Sequence, residues 1–308
     1  MYDLIIIGGG PAGASAAVYA ARKRLKTLLI TEEWGGQSTV SADIQNWIGT
    51  LSISGADLAK ALRSHVERCK GDTLVVESPV RAASLTLNGT SVSITLKNGE
   101  TREARALLVA SGSRRRTLAI PGAAEYDQKG LTYCATCDGP LYADKDVAVI
   151  GGGNAAFETA LQLLAYCKSV TLLNRTEDFR ADEITVAAAR SHPNMRILMN
   201  AVPTEVVGAQ FVTGLKWKDG KTGTETLLPV EGIFVEIGLL PNTEWLGTAL
   251  DLTPGKQVKA DPRTGRTSHP RVWAAGDVTD SLYHQNNIAA GDAVRALEDI
   301  YMALHRGL

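Results

Sequence analysis

The chain opens on a solid apolar run, "YDLIII", which breaks into three glycines and then into an alanine-rich stretch, "GASAAVYAARKR". That order predicts a strand, a tight turn and a helix. A second apolar run, "KTLLIT", predicts the next strand, ending at Glu32 and Glu33. The whole order then recurs: "KDVAVI" leads into "GGGNAAFETALQLLAYCK", and "SVTLLN" follows as another strand. Further on, β-rich segments lead to "RVWAAGD", a strand closed by an Ala-Gly-Asp turn. A polar loop and a long C-terminal helix starting near Asn286 complete the pattern. Strands alternating with helices place the chain in the α/β class.

The glycines give these turns a chemistry. Gly8, Gly10 and Gly13 occupy the G-x-G-x-x-G positions of a dinucleotide-binding turn. The first permits the tight turn, the second lets the backbone approach a pyrophosphate, and the third lets the helix pack on the strand. The helix N-terminus then faces the phosphates. A carboxylate at the end of the following strand holds a ribose hydroxyl, with Glu32 preferred and Glu33 in reserve. In the repeat, Gly151, Gly153 and Ala156 take the same positions, and Asn154 is placed to cap the helix. The strand after it ends without an acid, at Asn174 and Arg175, with Arg180 further along. Losing the carboxylate and gaining arginine is the chemistry of a 2′-phosphate, so NADPH is preferred and NADH stays open. Asp277 in the last turn is suited to a cofactor ribityl or phosphate group; a plain helix cap is the alternative there.

Composition narrows the class. With 308 residues, 44% of them hydrophobic, the chain can bury a sizeable core, and its length suggests two domains. A formal net charge of -1, from 32 basic and 33 acidic residues, leaves no electrostatic footprint for nucleic acid or an acidic membrane surface. No run approaches the roughly 20 apolar residues of a membrane helix, and no basic segment precedes the opening strand. A soluble cytoplasmic protein is expected. The 4 cysteines are too few for a secreted disulfide framework. Cys134 and Cys137, in "TYCATCDGP", are therefore read as redox or metal chemistry. A zinc site needs further ligands, which isolated Cys69 and Cys167 and the five scattered histidines do not offer, so no metal is expected. Cys69 and Cys167 read as small buried apolar residues.

The motifs "GGGPAG", "GGQ" at Gly35 to Gln37, Asn46 in "IQNWIG", "ASG" at Ala110 to Gly112, "CATCDG", "GGGNAA", "AAGD" and Gln285 in "YHQNN" span nearly the whole chain. Together they resemble the low-molecular-weight, bacterial-type thioredoxin reductases and the related flavoprotein subunit of alkyl hydroperoxide reductase. The resemblance implies two Rossmann-like, three-layer domains. An FAD domain covers residues 1–116 and 241–308, and a nicotinamide and dithiol domain, 117–240, is inserted into it. It implies FAD contacts for Gly36, Gln37, Asn46, Asp277 and Gln285, and extends the set to Pro11, Ala12, Thr31, Gly35, Val80, Ala110, Gly112, Gly276 and Asn286. It also implies a redox disulfide in which Cys137 faces the flavin, Cys134 attacks the partner, and Asp138 moves the proton. A helix cap is the alternative for Asp138.

Since the dithiol and the second turn share the inserted domain yet both serve one flavin, that domain is expected to rotate between two poses. The expected partner is a separate thioredoxin- or glutaredoxin-like protein, because no internal relay cysteine exists and no further domain is expected ahead of the first strand. A homodimer is implied by the resemblance. Two other readings stand beside this one: the reductase half of a peroxide-scavenging system, and a flavin-linked redox sensor without turnover. The segments "CDGPLY" and "GIFVEIGLLPNTEWL" lean towards the peroxide-reductase flavoprotein. The expected "HRR" of NADPH-using relatives is "NRT" here, one arginine short.

Overall fold

The computed structural model describes residues 1–41 and 44–308. The chain forms two compact units, Met1–Arg114 with Leu240–Leu308, and Arg115–Leu239. Each unit fastens its own side of the two crossings. In the first, Asn242 N donates to Gly112 O at 3.0 Å; in the second, Arg116 N donates to Gly238 O at 3.0 Å.

The first unit is built on a 7-stranded sheet. Its centre is the opening strand Tyr2–Gly9, paired in parallel with Thr27–Trp34 and with Thr101–Val109. Leu74–Glu77 and Val272–Ala274 extend the parallel part, while Ala82–Asn88 and Ser91–Leu96 add an antiparallel hairpin. Because successive side chains alternate across a strand, the opening run is divided between two cores. Leu4 and Ile6 pack with Ala16, Ala20, Ala293, Leu297 and Ile300, beneath the helices Pro11–Arg22 and Asn286–His305. Ile5 and Ile7 pack with Val92, Ile94, Leu246 and Val258 on the other face. Both faces are covered, which is why the strand is apolar throughout instead of alternating.

The second unit repeats the plan with a different third layer. Five strands, in the order Met195–Leu198, Ser169–Leu173, Asp146–Ile150, Gly232–Val235 and Leu131–Thr132, form a parallel sheet. Val147 and Val149 face Phe157, Leu163 and Ala189 of the helices Asn154–Leu164 and Glu183–Arg190. Ala148 and Ile150 face Val206, Leu215 and Leu228 of an antiparallel meander, Ala201–Gly208, Val212–Asp219 and Glu225–Pro229. Helices, parallel sheet and meander make the three layers. Among the described residues no helix is long and apolar enough to cross a membrane.

Candidate functional site

In the first unit the glycine turn is shaped by contact. A Cβ on Gly13 would overlap the Gly8 carbonyl oxygen, so helix and strand approach as only glycine allows. Gly8 itself, at φ +123, lies against Ala110 O. A side chain on Gly10 would point at the Gly36 Cα, so bare backbone lines both sides of the turn. Gly276 is wedged between Ala12 and Ala289, which joins the Ala-Gly-Asp turn to the starts of both helices. Residues far apart in sequence then interlock. Gln37 Nε2 donates to Asp277 Oδ2 and to Ser113 Oγ, each at 3.1 Å. Asn46 Nδ2 donates to Gln285 Oε1 at 3.2 Å, and Ser38 Oγ to Asn286 Oδ1 at 2.8 Å. Val80 N donates to Thr31 O at 2.9 Å.

Two helix N-termini and two glycine-bare backbones thus converge with Asp277, a geometry suited to a dinucleotide pyrophosphate and its neighbours. Among the described residues, buried Gln37 Oε1 and Trp34 Nε1 have no partner, polar capacity that fits a bound polar group. Glu32 is exposed at the strand end, with its carboxylate 3.5 Å from Arg81 Nη1. Sequence reading did not find Arg81, Ser38 or Ser113, because no motif carries them.

In the second unit Gly151, at φ +153, abuts Glu236 O and the Ala156 Cβ. Gly153, not Asn154, is the N-cap of the helix Asn154–Leu164. This corrects the capping expectation for Asn154. Its side chain reaches instead to Asp182, accepting from Asp182 N at 2.7 Å and donating to Asp182 Oδ2 at 3.2 Å. The physical reason is the segment after Asn174, which folds back over the turn: Arg180 N donates to Gly152 O at 2.7 Å. Asn174 is buried, and its amide is spent on that segment, with Nδ2 donating to Thr176 O at 3.0 Å and Asp178 O at 3.1 Å. Glu177 of the segment is ion-paired with Lys221. Arg175 and Arg180 are exposed, and their guanidinium groups have no hydrogen bond or ion pair among the described residues. Two free cations held beside a glycine turn suit a phosphate.

The cysteines follow the edge strand of the same sheet, at the carboxyl end that also carries the glycine turn. The strand Leu131–Thr132 delivers Cys134 to the N-cap of a short helix, Ala135–Asp138, and Cys134 and Cys137 form a disulfide. Cys134 Sγ accepts from Cys137 N at 3.2 Å. A backbone donor on that sulfur favours the thiolate once the disulfide opens. Asp138, 9% exposed, accepts a short hydrogen bond from Thr132 Oγ1, and the same hydroxyl accepts from Cys134 N at 3.3 Å. Burial pushes the Asp138 carboxyl above the ordinary range, while the Thr132 bond and Arg115 pull it back. Asp138 makes no side-chain capping bond. Its carboxyl is linked through that hydroxyl to the Cys134 backbone N, which holds it beside the disulfide turn. Thr132 was invisible to sequence reading. Cys167 is buried, and burial pushes its thiol up to about 11, whereas Cys69 is half-buried against the first core.

Comparison with known proteins agrees with this geometry. An alkyl hydroperoxide reductase subunit of Staphylococcus aureus (strain NCTC 8325 / PS 47) is 40% identical over 295 residues, covering 96% of this chain and 57% of the relative. The protein of that name from Pseudomonas putida is 41% identical over 299 residues, covering 96% and 56%. The chain therefore spans little more than half the length of these curated relatives. Among solved structures, thioredoxin reductase from Giardia duodenalis superposes with a TM-score of 0.92 at 32% identity, covering 99% of both chains. Thioredoxin reductase from Streptococcus pyogenes MGAS5005 gives 0.89 at 31%, with the same coverage. The family model for pyridine nucleotide-disulphide oxidoreductases matches residues 2–304, and the chain belongs to that family.

Proposed function

We propose that this protein is a flavoprotein disulfide reductase that draws electrons from NAD(P)H and passes them through Cys134 and Cys137 to the disulfide of a thioredoxin-fold protein. The observation that carries the reading is the Cys134–Cys137 disulfide joined through Thr132 to the buried Asp138, in the same unit as a second glycine turn. FAD is assigned to the first unit, held by Gly8, Gly10, Gly13, Gly36, Gln37, Asn46, Asp277 and Gln285. The coenzyme is assigned to the second, held by Gly151, Gly153, Asn154, Arg175 and Arg180. Together the bound flavin and nicotinamide supply the two electrons that open the disulfide.

The protein's own groups then carry out the exchange. The Cys134 thiolate attacks one sulfur of the partner's disulfide, forming a mixed disulfide and releasing the partner's other sulfur as a thiolate. Cys137 attacks Cys134 Sγ, which frees the partner as a dithiol and restores the Cys134–Cys137 bond. Asp138 gives its proton to a departing thiolate and regains it from the thiol that attacks next.

The names of the curated relatives favour one second reading, in which these electrons serve peroxide reduction through a separate dithiol protein. A homodimer belongs to the proposal, and exposed Ile48, Leu51, Leu282 and Tyr283 supply apolar surface for it. The test is covalent capture. Cys137→Ser protein is mixed with thioredoxin or glutaredoxin that lacks its resolving cysteine and carries the remaining one as a mixed disulfide with thionitrobenzoate, which departs as Cys134 attacks, and wild-type turnover of each candidate is assayed with NADPH and NADH. A mixed disulfide at Cys134 and turnover of the same partner are expected. Rapid reduction of oxygen or ferric chelates with no protein disulfide turned over would overturn the reading.

A further inference from the structure

One half-buried carboxyl has no part in the exchange just described. Glu236 follows the strand Gly232–Val235, which runs parallel to Asp146–Ile150 with Val235 opposite Ile150. The sheet grows outward from this pair in both directions, through Ser169–Leu173 on one side and Leu131–Thr132 on the other. The gap between the two strands is therefore the switch point of the parallel sheet, and ligands of such sheets bind outside the carboxyl ends of the strands there. Gly151 closes one strand and Glu236 closes the other. Glu236 N donates to Ile150 O at 2.8 Å, and its carbonyl fills the space a Gly151 side chain would need. Thr159, buried on the helix that starts at the glycine turn, donates from Oγ1 to Glu236 Oε1 at 3.0 Å and fixes the carboxyl.

We propose that the Glu236 carboxylate is the electrostatic partner of the coenzyme's nicotinamide ring, binding the oxidised, cationic ring more tightly than the reduced, neutral one. The inference rests on the proposed function, since it takes the second glycine turn as a coenzyme site. Hydride leaving the ring creates a positive charge, and a carboxylate fixed beside that charge lowers the energy of forming it.

The surroundings of Glu236 make the effect readable. Burial pushes its carboxyl up to about 7, Thr159 and Arg115 act in the opposite direction, and Glu158 adds to the rise. Near neutrality the free protein therefore holds this proton part of the time. A cationic ring lowers the pKa, so binding expels the proton, and affinity climbs as pH rises from the bound-state pKa to the free one. A drop of one unit on binding corresponds to about tenfold tighter binding above the free pKa. A neutral ring has no such dependence.

The experiment is isothermal titration of the flavin-loaded protein with NADP+ and with 1,4,5,6-tetrahydro-NADP, whose ring is neutral and donates no hydride. Both carry the 2′-phosphate, so its own titration cancels in the ratio of the two dissociation constants. The ratio is expected to move about tenfold in favour of NADP+ from about pH 5.5 to about pH 8, with proton release seen only for NADP+. Glu236→Gln, which keeps the Thr159 bond, should flatten the ratio. Thr159→Val should shift the midpoint to higher pH, because the lost bond was lowering the pKa. A flat wild-type ratio, or an unchanged slope in Glu236→Gln, overturns the inference while the coenzyme site stands. If neither ligand binds at any pH, the coenzyme reading fails and the inference falls with it.

Discussion

Replacing Thr132 with valine keeps the volume of a side chain only 2% exposed and deletes its hydroxyl. Two bonds go with it, the donation to Asp138 and the acceptance from Cys134 N. A hydrogen bond to a charged group contributes about 1.5–3 kcal/mol, and about 1.36 kcal/mol corresponds to one pKa unit. The carboxyl keeps some contact with solvent, which screens it, so the lower end applies and the Asp138 pKa should rise by about one further unit. Its folded pKa already lies above the ordinary value. Stability from this group is therefore fully present below the unfolded pKa and lost as pH rises through the folded one. In Thr132→Val that loss deepens by about 1.4 kcal/mol at pH 8 and vanishes in acid. The assay is single-turnover reduction of a disulfide substrate by pre-reduced enzyme across pH, with urea midpoints in acid and at pH 8. The limb set by Asp138 should move up by about one pH unit in Thr132→Val and stay in place in Thr132→Ser. If valine leaves the limb where it was, or serine moves it equally, Asp138 is not the group that titrates.

Arg175→Ala and Arg180→Ala should each lower kcat/KM for NADPH about 10- to 100-fold while sparing NADH, because each removes a charge-assisted contact worth about 1.5–3 kcal/mol to a phosphate only NADPH has. Equal losses with both coenzymes would show that these side chains do not read the 2′-phosphate, and no loss with either would show them to be surface charge. Gly13→Val should cost about 1–3 kcal/mol of stability and strip the flavin, since the new side chain meets the backbone carbonyl of Gly8. The flavin-to-protein absorbance ratio and a thermal melt check both effects.

What the sequence revealed and what it hid divide along a physical line. The glycine turns were legible because backbone geometry itself demands the residue: nothing larger fits between Gly13 and the Gly8 carbonyl. The buried strands were legible because both faces of the opening run are covered by core. Asn154 was misjudged because the capping rule assumes free N–H groups at its own helix, whereas the segment ending at Asp182 offered it a partner 28 residues away. Thr132 and Glu236 escaped notice for a related reason. A lone hydroxyl or carboxyl acquires its role from what is packed around it, and neither the Thr132–Asp138 bond nor the Thr159–Glu236 bond leaves a spacing signature in the chain.

The first unit is closed by residues from both ends of the chain, and that has a cost during synthesis. The second unit is one unbroken segment, Arg115–Leu239, and can fold as soon as it leaves the ribosome. The first cannot. Leu4, Ile6 and Leu29 await Ala293, Leu297 and Ile300 of the C-terminal helix, while Gln37 and Asn46 await Asp277 and Gln285. At about 5–20 residues per second, the nascent chain carries an uncovered apolar sheet for several seconds after the second unit is complete. Chaperone demand and protease sensitivity should therefore concentrate in the segment Met1–Arg114 during synthesis, and flavin should enter only after the helix Asn286–His305 has docked.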